Sequence, residues 1–316
     1  MAQPTLSSVH INQPLTQISV AYLQSVDHYI ATKVFPIVRV GKRTDSYFIY
    51  TKDDWRRDEA KIRPPGTESA GSGYGLSTAT YTADVFAFHK DVDGQTLANS
   101  DDPLRPYEDA TEYVTQRLLL RQEKQWTADA FVTGVWGTST TPSALWSTYA
   151  TSVPITDVET AKRTILINTG FMPNTMVVGY DTYIQLINHP DIVDRLSNQS
   201  DRIVNEGKLA SIFGLPNFYI AKASENTAVE GETAVNAFVQ GKHAWVGYVA
   251  PNPSLLTPSA GYTFVWDSVS GGIGEDIAIM RLDMPWIDSV RIEGQLAFDN
   301  KLVATDLGYM FVDVVA

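Results

Sequence analysis

The chain has 316 residues, 24 Lys and Arg against 36 Asp and Glu, a net charge of −12 and no cysteine. That excludes disulfides, thiolate metal sites, iron–sulfur clusters and a thiol nucleophile. It also disfavours a general nucleic-acid binder, which holds phosphates with an excess of Lys and Arg.

The length suits about two domains. Charged residues are 19% and aromatics 11%. Such a chain is ordered, with charge below the usual quarter or so, and has surfaces suited to partners. The acidic excess is local: residues 251–316 hold nine Asp and Glu against three Lys and Arg, whereas 51–90 hold six of each sign. No apolar targeting region precedes Lys33, and no run approaches the roughly 20 apolar residues of a membrane span. A cytosol-like compartment is expected, where the triplet Asn198-Gln199-Ser200 stays unglycosylated.

Residues 1–30 are polar, with Pro4 and Pro14, and read as an extended arm with a short helix around Ile18 to Tyr29. An arm that cannot bury itself lies on something else. Val34 to Val40, Ser46 to Thr51 and Thr78 to His89 read as strands. Between Thr51 and Ser77 the pattern is lost, around Pro64, Pro65, Gly66, Gly71, Gly73 and Gly75. Two strands joined by so long a loop make an extended arm whose loop is either disordered or ordered by a partner.

The strongest helix runs from about Pro106 to Val132, roughly 40 Å at 1.5 Å per residue. Glu108, Asp109 and Glu112 lie early, and Arg117, Arg121 and Lys124 later, as the macrodipole favours. Its apolar residues, including Leu118, Leu119, Leu120 and Trp126, wrap more than one face, which predicts packing on several sides.

Gly134 to Thr151 reads as a connection. Helices are expected at Asp157 to Asn168, capped by Thr156 or Asp157, then at Asp181 to Asn188, Asp191 to Leu196, and Glu206 to Phe213, stopped by Gly214. Strands are expected at 175–178, 217–221, 237–240, 244–250, 262–266, 277–280, 289–298, 302–304 and 309–315. Gly271-Gly272 reads as a hinge.

Chemistry is sparse. His10, His28, His89, His189 and His243 have no metal-ligand spacing and read as surface or cap residues. Gly71, Gly73 and Gly75 neither follow a clear strand nor open a helix, unlike a dinucleotide loop. Asp91-Val92-Asp93-Gly94 lacks the spaced ligands of a calcium loop and reads as a turn. Asp53-Asp54, Asp101-Asp102 and Glu275-Asp276 read as solvated turns. No catalytic, cofactor-binding or metal residue is assigned. Trp55, Arg56 and Arg57, with Lys61 and Arg63, form a cluster of interface-favoured residues. Interleaved acidic residues suit it to a neighbouring protein better than to phosphate; a plain exposed loop is the alternative.

The order of parts resembles the major capsid protein of tailed bacteriophages, with N-arm, E-loop, spine helix, A-domain and P-domain. Residues 33–68 (KVFPIVRVGKRTDSYFIYTKDDWRRDEAKIRPPGTE) are similar to that family's passage into the E-loop, and 111–126 (TEYVTQRLLLRQEKQW) to its spine helix. Residues 171–196 and 209–223 (LASIFGLPNFYIAKA) are similar to parts of its A-domain.

The resemblance implies an α+β fold. The N-arm and lead-in strand would occupy 1–44, the E-loop 45–90, the P-domain with its spine helix 91–150 and 272–316, and the A-domain 151–271. It implies a structural, non-enzymatic protein of the virion shell, assembled in the host cytoplasm as hexamers and pentamers around double-stranded DNA. DNA would be touched only non-specifically. A separate scaffolding protein, a portal and decoration proteins are implied partners; no cofactor and no membrane are. The subunit contacts would be Trp55, Arg56, Arg57, Lys61 and Arg63 in the E-loop, and Leu118, Leu119, Leu120 and Trp126 on the spine helix. Two other readings are an encapsulin-like nanocompartment shell and a carbohydrate-active or carbohydrate-binding domain.

Overall fold

The computed structural model describes residues 24–100, 104–196, 203–253, 257–269 and 277–316. Its first strands are β1 (Ile37–Val40), β2 (Thr44–Tyr50), β3 (Leu76–Thr82), β4 (Asp84–Asp93), β5 (Thr138–Thr140), β6 (Thr175–Gly179) and β7 (Asn217–Ala221). They are followed by β8 (Ser224–Asn226), β9 (Asn236–Phe238), β10 (Ala244–Gly247), β11 (Gly261–Trp266), β12 (Ala278–Met284), β13 (Ser289–Leu302) and β14 (Gly308–Phe311). One five-stranded sheet runs β1-β11-β13-β12, with β4 also on β13; a second runs β5-β14-β10-β6-β7. The pairs β2-β3 and β8-β9 stand apart as two-stranded sheets.

The second sheet holds the main core. Every residue of β6, β10 and β14 is buried, so they read as continuous apolar runs without alternation. Helices Pro154–Thr169 and Glu206–Phe213 pack against this sheet. The second helix has the expected bounds: the Asn205 side chain accepts from Lys208 N–H at 2.9 Å, and Gly214 ends it at φ 63°. The first begins earlier than Thr156 or Asp157. Pro154 takes the first helical position, where its missing N–H costs nothing. Asp157 instead accepts from Trp146 Nε1 at 2.9 Å.

The long helix spans Pro106–Ala130. Ala110, Val114, Leu118, Gln122, Trp126 and Ala130 are all buried, one every fourth residue. A four-residue step overshoots the 3.6-residue turn by about 40°, so the buried stripe winds around the helix. Its first half therefore rests on β4 and β13, while Trp126 and Ala130 enter the main core. Packing on several sides, expected from the sequence, has this geometric cause.

Several boundaries differ from the sequence reading. Val34 ends a helical turn, Ala31–Val34, and the strand starts only at Ile37, after Pro36. The single strand expected at Thr78–His89 is two: β3 pairs with β2, and after buried Ala83, β4 pairs with β13. The strand expected over 309–315 stops at Phe311, because Asp313 adopts φ 47°. The separate strand expected at 302–304 is the end of β13, which stops at Leu302. Of the helix expected around Ile18 to Tyr29, the described part is a single turn, Val26–His28; the rest, like Gly271-Gly272, lies outside the described residues. The division drawn at 271 crosses both sheets, since β11 belongs with β13, and β14 with β10.

Candidate functional site

The two-stranded arm is rooted by aromatic stacking. Phe264 on β11 stacks on Tyr81 at 4.6 Å and on Tyr47 at 5.6 Å between ring centroids. Beyond Tyr50 the chain leaves the ladder, turns once at Asp54–Arg56, and returns to β3 at Leu76 without other regular structure. Thr51 N–H donates to Gly75 O at 3.1 Å, and Asp54 Oδ2 accepts from Gly75 N–H at 2.9 Å, which closes the loop's neck.

The structure places the loop residues as follows. Trp55 packs on Tyr74 (5.3 Å) and Tyr50 (6.1 Å) of its own chain, yet stays 59% exposed. Arg56 donates to the carbonyls of Ile167 (2.8 Å) and Asn168 (2.5 Å), at the end of helix Pro154–Thr169. Cations are favoured there, because the last helical carbonyls lack amide partners. Arg57 lies 3.6 Å from Asp54 and 3.9 Å from Glu59. Arg63 donates to Thr67 O at 2.5 Å. Lys61 is exposed. Arg56, Arg57 and Arg63 thus meet partners inside their own chain, where the sequence suited the cluster to a neighbouring protein. Lys52 adds an ion pair with Asp306. Arg56→Ala is expected to speed tryptic cleavage after Lys61 several-fold, at a stability cost of only about 0.3–1 kcal/mol. Time-resolved digestion checks this; an unchanged rate would show that the clasp does not restrain the loop.

On the long helix, Leu118 and Trp126 are 2% and 1% exposed. Burial in their own core leaves them no surface for a neighbour, a correction to their reading as subunit contacts. Leu119 and Leu120 are half-buried.

Near Leu119 lies a cavity of about 380 Å³, walled by Val26–Lys33, the long helix and the start of β12. Glu123 lines it. Its Oε2 accepts the N–H groups of Ile30 and Ala31, both at 2.9 Å. Burial nevertheless pushes its carboxyl up to about 7. Neighbouring Gln122 is buried, and its Nε2 has no hydrogen-bond partner. Neither residue stands out in the sequence reading. The signal is that Gln122 is the polar member of an otherwise apolar four-residue series.

Several other titratable groups are committed to structure. Asp91 takes a two-pronged contact from Arg291 at 2.8 and 3.0 Å, which holds its carboxyl below the usual range. Asp93 caps the next helix by accepting from Thr96 N–H at 2.7 Å. Buried His189 is likewise a cap, with Nδ1 accepting from Asp191 N–H at 3.3 Å. That leaves the ring proton on Nε2, directed at Ser152 Oγ 2.9 Å away. The Ser152 hydroxyl in turn donates to Thr148 O. His189 is therefore a donor to Ser152, and the pair lacks the base a nucleophilic serine needs. No group of three or more His, Asp or Glu suited to a metal occurs among the described residues.

A clasped two-stranded arm, a long helix spanning two sheets and buried β6, β10 and β14 make up the fold, which recurs in solved structures. A phage-related protein from Bordetella bronchiseptica matches with a TM-score of 0.69 at 20% identity, over 91% of this chain and 92% of that one. The capsid of cyanophage P-SCSP1u matches at 0.64 and 10% identity, over 95% and 92%. The SrpI encapsulin of Synechococcus elongatus matches at 0.54 and 10%, over 100% and 98%. The fold is that of phage capsid proteins.

In sequence, the chain is similar to the major capsid protein of Burkholderia phage BcepMu, with 25% identity over 223 residues, 69% of this chain and 71% of that protein. No protein-family model matches the chain. The resemblance to phage major capsid proteins holds in both fold and sequence.

Proposed function

We propose that this chain is the structural subunit of an icosahedral phage shell enclosing double-stranded DNA, built from hexamers and pentamers. The observation that carries the reading is the arm. Strands β2 and β3 pair only with each other, and the loop beyond them exposes Trp55, Ile62 and Tyr74 at 59%, 97% and 60%. Apolar groups held so far from any core are suited to a surface on another copy. The protein carries no reaction, meets DNA only through weak, salt-sensitive contacts, and works with a scaffolding protein, a portal and decoration proteins. It resides in the virion shell after assembly in the host cytoplasm.

The test is to replace residues 53–74 by a short turn. The subunit is expected to melt close to the parent, lower by no more than the about 0.3–1 kcal/mol of the lost Arg56 contact, while particle yield by sedimentation and electron microscopy collapses. Normal particles from the shortened protein would refute the arm's role. The likeness to an encapsulin supports a second reading, a nanocompartment of the same fold. The contents of purified particles separate the two: packaged DNA supports the first, an enclosed enzyme the second.

A further inference from the structure

Arg117 and Arg121 follow one another on the exposed side of the long helix, one turn and about 6 Å apart along its axis. Each is laid over an aromatic ring on the seam between the helix and β4, and Lys90 of β4 joins them there. Lys90 Nζ and the Arg117 guanidinium lie 5.5 and 5.2 Å from the ring centre of Tyr113, and the Arg121 guanidinium lies 4.9 Å from that of Phe86. Arg117 also donates to Tyr113 Oη at 3.1 Å, and Arg121 to Gln125 Oε1 at 2.9 Å. A guanidinium has several N–H donors, so one bond and a stacked ring fix its plane and leave donors to spare. Nearby cations are already matched: Lys124 by Glu225 at 2.6 Å, Arg281 by Asp283 at 3.4 Å and Arg291 by Asp91 at 2.8 Å. Lys90, Arg117 and Arg121 form no ion pair among the described residues. In a chain of net charge −12, three such cations side by side are an exception. Carboxylates stand at the margin, with Glu230 in electrostatic reach of Arg117 and Glu108, Asp109 and Glu112 exposed in the helix's first turns.

We propose that this seam is the face the subunit turns to double-stranded DNA, with Lys90, Arg117 and Arg121 each holding a phosphate, an assignment that rests on the shell-subunit reading. The stacked rings hold the side chains in place beforehand, so less freedom is lost on contact. They also decide what is recognised. A binder of single strands leaves its aromatic faces open for bases, whereas here the cations cover them. Phosphate contacts carry no sequence information, so the face takes any duplex. Three contacts per subunit are weak alone and add up when many copies line one surface.

The test is a titration of the full-length subunit against a labelled duplex of about 30 base pairs from low salt upward, with log Kobs expected to fall on log salt with a slope of about −2.7 for three phosphates. Two unrelated sequences should bind alike, and a single strand no tighter. Lys90→Gln, Arg117→Gln and Arg121→Gln together are expected to weaken low-salt binding at least about tenfold. Arg163→Gln, Arg195→Gln and Lys242→Gln remove the same charge from other exposed positions and should cost much less. Glu112→Lys, at the margin, should tighten binding and steepen the slope to about −3.6. This gain keeps the test decisive if the triple variant folds poorly. An equal loss from both triple variants, or no gain from Glu112→Lys, overturns the proposal. Tighter binding to polyglutamate than to the duplex also overturns it, since the face would then take an acidic protein. Any of these results leaves the shell reading standing if purified particles hold DNA. Particles that hold an enzyme and no DNA overturn the shell reading itself, and the assignment with it.

Discussion

Gly294→Leu is expected to destabilise the subunit by about 3 kcal/mol, seen as a lower urea midpoint at an unchanged slope. Gly294 lies on β13 directly under the long helix. A Cβ there would stand 2.5 Å from Val114 Cγ1, 2.7 Å from Leu118 Cδ1 and 3.2 Å from Ile279 Cδ1. Val114 is β-branched and stiff on a helix, and Leu118 is buried, so neither yields easily. A leucine must lift the helix off the sheet or distort both. Gly294→Ala serves as the graded control: its methyl already meets Val114 and Leu118, so it costs stability too, but less than leucine, and the unfolded chain's lost freedom offsets part of that. A leucine variant with the parent's midpoint would mean that the helix has slack over β13.

The second large effect is a pH dependence centred on Glu123. Its folded carboxyl holds its proton up to about 7, whereas an unfolded glutamate releases it near 4.3–4.5. Below both values the group is protonated in either state and contributes no slope. Between them the unfolded chain binds fewer protons, so stability falls as pH rises and levels off above about 7. The drop from this group is on the order of 3 kcal/mol. Glu123→Gln mimics the protonated form and keeps an oxygen for the Ile30 and Ala31 amides. The variant is expected to match the parent near pH 4 and to exceed it at pH 8. His189 and His243 are both pulled below the usual histidine value, by burial first. They cost stability as pH falls through 6.5, but they are shared by both proteins and cancel in the difference. Urea titrations at the two pH values decide it. An equal gap at both would mean that Glu123 does not titrate in this window.

Local signals carried much of this architecture. Helix Glu206–Phe213 is legible because Asn205 and Gly214 mark its ends, and β6 because four apolar or small residues follow Thr175 without alternation. Pairing was not legible. Thr78–His89 looks like one strand because alternation does not say which partner lies alongside; only the fold splits it at Ala83. The loop's basic residues were recognisable as a cluster of contacts, but their partners were not. Arg56 bonds backbone carbonyls over a hundred residues away, and every helix end has such carbonyls. Likewise, Gln122 looks like an ordinary polar position until the four-residue stripe places it inside, and Glu123 until the Ile30–Ala31 backbone covers it.

The passage of one chain from β3 into β4 also has a mechanical meaning. Asp84–Asp93 lies antiparallel against Phe298–Ser289, ten residues against ten, and the arm joins at one end of that ladder. A pull transmitted down the arm along β4 loads the ladder's hydrogen bonds side by side, as shear, and does not peel them off one at a time. Tension on the arm thus reaches the strand on which the long helix sits without opening the sheet. The fold can take a pull on that limb and keep its shape.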